Sequence, residues 1–167
     1  MNTLRLAVSA VLLASCAAVA AQQPQPQPAP QQDAAAQPEL TPEQRAQIAR
    51  QDAEMSQAAL QVMQMIDANQ IGEVWDGASD VMKQSVPREE FVRQISADRT
   101  RLGAPTQRSQ PTVSRSQFPA GAEVPEGIYI NIASPTTFAN QEAPVRELVS
   151  FRFDSDRTWR VSGYSVR

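Results

Sequence analysis

Gly127-Ile128-Tyr129-Ile130-Asn131-Ile132 alternates strictly, with isoleucine at every second position. Neighbouring side chains of an extended chain point to opposite faces, so this period of two predicts a strand. Ile128, Ile130 and Ile132 share one face, Tyr129 and Asn131 the other. The stretch decides the fold because the apolar spacing before Gly103 is helical and the spacing after it is not.

Working towards the C-terminus, Val145 to Phe153 also alternates. Thr158 to Val166 follows across Asp154-Ser155-Asp156-Arg157, a polar tetrapeptide suited to a hairpin. On the other side, 105–116 reads as a weaker strand, placed at an edge because Pro111 has no N–H to give a ladder.

Working towards the N-terminus, Pro87 opens a helix whose buried face is Phe91, Ile95 and Leu102, and Gly103 and Pro105 close it. Ile71, Trp75, Ala78 and Met82 have helical spacing on a second helix, interrupted by Gly72 and Gly77. A first, long helix starts at Thr41-Pro42-Glu43-Gln44, a capping box with proline at the first helical position. Met55, Ala59, Val62 and Ile66 form its core stripe, and Asn69 is a candidate for its left-handed end. The prediction is a single α+β domain over 41–167, with three N-terminal helices on one face of a curved, cone-like, four-stranded antiparallel sheet.

Residues 1–21 read as an export signal: Arg5 supplies a positive charge and Leu6 to Ala14 an apolar run too short to span a bilayer. Cleavage near Ala20 or Ala21 competes with a lipobox at 13–16, Leu13-Ala14-Ser15-Cys16, in which Cys16 is lipidated. Cys16 is the only cysteine, so no internal disulfide exists and the thiol is either discarded with the signal or acylated. Residues 22–40 are mostly glutamine, proline and alanine and read as a disordered linker. The expected location is the periplasm, or the membrane surface if Cys16 carries lipid, with no transmembrane helix in the mature protein.

The formal charge is −3 with acidic and basic residues interspersed, which is no footprint for nucleic acid. Histidine is absent, which excludes serine–histidine and cysteine–histidine nucleophilic mechanisms. No phosphate-cradling glycine pattern, calcium-loop spacing or thiol pair occurs, and no cofactor is expected.

Ile66-Asp67, Trp75, Phe91, Arg99 or Arg101 with Gly103, Arg108, Gly127-Ile128-Tyr129, Phe138-Ala139-Asn140, Glu147 and Trp159-Arg160-Val161-Ser162-Gly163-Tyr164 resemble an exported bacterial family catalogued as domain of unknown function 4019. Phe91 departs from the family's usual tryptophan, and Asp156-Arg157 from its usual acidic-glycine turn. The resemblance covers about Met55 to Arg167 and supplies no activity. The order of helices before sheet also resembles the cones of nuclear transport factor 2 and the cystatins, an analogy of fold alone.

Glu147 stands in the core-facing set Val145, Glu147, Val149, Phe151, Phe153, so it needs a partner, with Arg101 and Arg108 the candidates. It is either a ligand-directed carboxylate or a structural ion pair. Trp75, Tyr129 and Trp159, with Tyr164, are candidates to line a ligand pocket or to be ordinary core. Met55, Met63, Met65 and Met82 suit core filling better than thioether ligation of a metal. Asp76 and Asp80 read as one helical turn apart on a solvated face, and Glu89 and Glu90 as first-turn acids. The leading expectation is a non-enzymatic cell-envelope module that binds a partner protein or a small apolar ligand between helices and sheet. A structural role in an envelope assembly is the second. A histidine-free hydrolase built on Glu147 is the third.

Overall fold

A computed structural model describes residues 39–167, of which Leu40–Arg167 form one compact unit. The export signal, the lipobox with Cys16 and nearly all of the linker lie outside the described residues.

Helix α1, Pro42–Asp67, begins on the expected capping box: the Thr41 hydroxyl accepts from the Gln44 N–H, and the Gln44 side chain accepts from the Thr41 N–H. It buries Met55, Ala59, Val62, Met63 and Ile66. Asn69, with φ 62°, ends it in the left-handed region. There the Gln70 N–H donates to Met65 O and the Asn69 N–H to Ile66 O, a pairing that satisfies two of the helix's last carbonyls.

The expected second helix is two short ones, α2 at Ile71–Asp76 and α3 at Asp80–Ser85, so four helices stand where three were predicted. The break follows from Gly77 and from Ser79, whose hydroxyl accepts from the Met82 N–H and starts a new helix. Asp76 and Asp80 therefore lie on different helices, and Asp76 is paired with Arg88. Helix α4, Arg88–Leu102, buries Phe91, Ile95 and Leu102 as expected, with Glu89 and Glu90 in its first turn.

Five strands follow: β1 Pro105–Arg108, β2 Thr112–Phe118, β3 Gly127–Phe138, β4 Gln141–Phe153 and β5 Trp159–Val166. The sheet is open and antiparallel, ordered β1-β3-β4-β5, with β2 also pairing to β3. The predicted edge strand is thus split. Arg108 pairs with Thr136 and Thr112 with Ala133, so β1 and β2 take successive stretches of one β3 edge and Pro111 falls in the gap.

The helices cover the face that carries Ile130, Ile132, Thr136, Glu147, Val149 and Phe151, and these form the core with α1, α2 and α4. Ile128 shares that side but is 46 % exposed. Met55, Met63 and Met82 are buried among apolar neighbours, and Met65 packs against them. Bulges interrupt the ladders between Thr136 and Phe138 and between Ser150 and Phe151, positions where a strand bends and its facing pattern shifts.

Candidate functional site

Glu147 is fully buried in the middle of the helix-covered face of β4. Its partners come from three other strands. Arg108 on β1 donates from Nε and Nη2 to Oε2 and Oε1 at 2.8 and 3.1 Å. The Thr136 hydroxyl on β3 donates to Oε2 at 2.8 Å, and the Tyr164 hydroxyl on β5 to Oε1 at 2.8 Å. Both carboxylate oxygens are thereby satisfied, which a buried charge requires.

A second carboxylate completes the cluster. Asp67, the last residue of α1, accepts from Arg108 Nη1 and Nη2 at 2.8 and 2.9 Å and also from Arg99 Nη2. Arg99 lies in the last turn of α4, where the helix dipole favours a cation. Its guanidinium carbon sits 4.8 Å from the Phe138 ring centre, within cation–π range. Its Nη1 is buried, 3.6 Å from Glu147 Oε1, and makes no hydrogen bond.

Two arginines and two carboxylates therefore balance. Burial works against the Arg108 charge, but its bonds to Asp67 and Glu147 outweigh that and raise its pKa above the ordinary arginine range. Burial, and then the Glu147 charge, raise the Tyr164 hydroxyl far above the usual phenol range. Tyr164 is thus a fixed donor at neutral pH.

Of the residues singled out from the sequence, Glu147 and Arg108 meet. Arg101 does not join them: it is exposed and pairs with Asp98 at 3.0 Å, one helical turn away. A residue two positions along a helix points elsewhere, and Arg99 occupies the inward position. Trp75, Tyr129 and Trp159 do not form one pocket. The Trp75 indole donates to Val86 O at 2.9 Å, with Lys83 over its ring, and Trp159 packs on Phe153. Tyr129 belongs to the opposite face of β3, where it packs edge-on to Phe118 and donates to Pro125 O at 2.7 Å.

Sequence reasoning did not assign Asp67, Arg99, Thr136 or Tyr164 to this cluster. Tyr164 carried a usable signal, since it alternates with Val166 on the strand that pairs with β4 and its register partner is Val149, beside Glu147.

Beside the cluster lies a cleft of ≈ 340 Å³ between α1 and the β1–β2 edge. Ala53, Leu60 and Met63 of α1, with Pro111 and Ile132 across from them, give it an apolar lining. Arg108 and Ser134 also line it, with Ser56, Gln57, Ser109 and Gln110 as further polar groups. Ser134 is only 5 % exposed and pairs with Glu147 across the β3–β4 ladder. The cleft thus borders the ion cluster without opening Glu147 to solvent. Among the described residues, no group of three or more His, Cys, Asp or Glu side chains is placed to hold a metal. No described helix is long and apolar enough to cross a membrane.

Helices on one face of an open antiparallel sheet, locked by a buried two-arginine, two-carboxylate cluster, define an α+β domain with a cleft beside its ionic core. The chain belongs to the family described as protein of unknown function (DUF4019), whose sequence pattern matches residues 58–164. That match includes Asp67, Arg99, Arg108, Thr136, Glu147 and Tyr164. Searches of curated proteins and of solved structures gave no match.

Proposed function

We propose that this chain is an exported, non-enzymatic module of the cell envelope that takes a small apolar ligand in the cleft between α1 and the sheet. The observation that carries the reading is the cleft itself: ≈ 340 Å³, with Ala53, Leu60, Met63, Pro111 and Ile132 as its apolar wall and Ser56, Gln57, Arg108, Ser109, Gln110 and Ser134 as its polar groups. A largely apolar concavity with a few convergent polar groups is the usual form of a small-molecule site. The state of Glu147 favours binding over hydrolysis, because a general acid or base needs access to substrate and both Glu147 oxygens are engaged inside the protein. Export rests on the basic residue and apolar run of the first 21 residues.

A native mass spectrum of the protein purified from its own cell envelope tests this. The expected result is a shortened chain carrying a small non-covalent adduct that leaves on collisional activation and is absent from a cleft-filling variant at the exposed lining residue Ala53, Ala53→Trp. A bare wild-type chain would count against the ligand and turn the search to protein partners. An acyl mass on Cys16 would put that search at the membrane surface, and an uncleaved N-terminus would contradict export.

A further inference from the structure

The proposed function leaves the ligand's chemistry open, and two groups lining the same cleft narrow it, provided that the cleft is a binding site as proposed. Among the described residues, Arg108 is the one charged side chain lining the cleft. Its Nε, Nη1 and Nη2 already donate to Glu147 and Asp67. A ligand carboxylate or phosphate would have to displace one of these acids or sit beside two of them, where repulsion is poorly screened. An ammonium end would meet the guanidinium together with acids that are already neutralised by it, so it gains no net partner for the hydration it gives up. Either sign of charge is disfavoured.

Ser134 supplies the complementary observation. Its side chain lies on the helix-covered side of β3, 5 % exposed, and borders the cleft. Its carbonyl accepts from the Thr136 hydroxyl at 3.4 Å, whereas its own hydroxyl has no hydrogen-bond partner among the described residues. The oxygen meets solvent in the cleft and is uncommitted within the protein, so a bound polar group would take the place of water there.

We infer that the cleft selects an uncharged amphiphile: an apolar chain laid along Leu60, Met63 and Ile132, with a hydroxyl, carbonyl or amide end hydrogen-bonded to Ser134 Oγ. The volume of ≈ 340 Å³ sets its length, since at about 30 Å³ for each water-sized group it holds a chain of roughly ten heavy atoms.

Calorimetric titration of the purified protein with octanol, octanoate and octylammonium, at about pH 8 where the last two are charged, tests the selection. Octanol is expected to bind one to one and at least about tenfold more tightly than either charged analogue. Ser134→Ala should weaken octanol about three- to tenfold, the value of one hydrogen bond, and leave the preference against charge in place. Octanoate or octylammonium binding as tightly as octanol would overturn the inference, and that comparison needs no variant. Unchanged octanol affinity in a folded Ser134→Ala protein would overturn the role of the hydroxyl. Binding by none of the three would remove the proposed function along with the inference, whereas binding with a charged preference would remove the inference alone.

Discussion

Arg108 reaches from β1 over the helix-covered face of β3 to grip Glu147 on β4 with two nitrogens, at 2.8 and 3.1 Å. Thr136, its register partner on β3, lies beneath the bridge and donates to the same carboxylate. The pair ties three neighbouring strands together, and Asp67 extends the tie to α1.

Glu147→Ala is expected to cost about 3–5 kcal/mol, because it strands the buried Arg108 and Arg99 charges with a single carboxylate between them. Arg108→Met should fall in the same range for the converse reason. Arg101→Ala, at an exposed pair, should stay within about 0.5 kcal/mol. Urea unfolding followed by tryptophan fluorescence measures all three, and equal effects at Arg101 and Arg108 would contradict the assignment of Glu147's partner.

Tyr164→Phe removes one charge-directed hydrogen bond and should cost about 1.5–3 kcal/mol. It should also change the alkaline limb of the stability curve. The folded pKa of Tyr164 is raised above the ordinary 10.0 by burial first and by Glu147 second. Its contribution is therefore complete below about pH 10 and is lost as pH rises beyond that towards the raised folded value, because only the unfolded phenol ionises there. Stability measured across that window should fall less steeply in the variant.

Gly103→Ala is expected to destabilise by about 1–3 kcal/mol. Gly103 ends α4 with φ 80° and ψ −167°, a region essentially reserved for glycine. A methyl group there would also stand 3.1 Å from the Asn140 side chain. Thermal unfolding provides the comparison, and a neutral result would mean that the turn into β1 relaxes freely.

At the β4–β5 hairpin, Arg160 holds the Asp156 carboxyl down to about 2 from 3.8. Its contribution is present above about pH 4 and is lost as pH falls through about 2. A carboxyl carbon-13 titration should place the Asp156 midpoint well below that of an ordinary aspartate, and Arg160→Ala should raise it most of the way back, with the Thr158 N–H still holding it slightly down.

Much of this architecture was legible because apolar spacing reports burial directly. The change of period at Gly103 marked the passage from helices to sheet, and the alternation Val145, Glu147, Val149, Phe151 placed a carboxylate inside before any contact was known. What stayed hidden depends on three-dimensional partnership. Arg99 and Arg101 are equivalent to a composition argument, and only the packing of α4 separates the inward one from the solvated one. Asp67 follows the core residue Ile66 and is recruited because α1 ends beside β1. The bulge between Ser150 and Phe151 lets Val161 and Tyr164 face the same core although their spacing breaks strict alternation. The division at Ser79 was readable as a helix cap, but the apolar spacing from Ile71 to Met82 ran through it.

Ligand binding in the cleft beside the ionic cluster can be read residue by residue in an amide-resolved NMR titration of the protein with octanol. Saturable shifts are expected, confined to Leu60, Met63, Ile132 and Ser134 and their neighbours, with the Arg108 and Arg99 side-chain signals unmoved in their ion pairs. Shifts scattered over the exposed Leu40, Val124 and Ile128, with no saturation at the cleft, would contradict it.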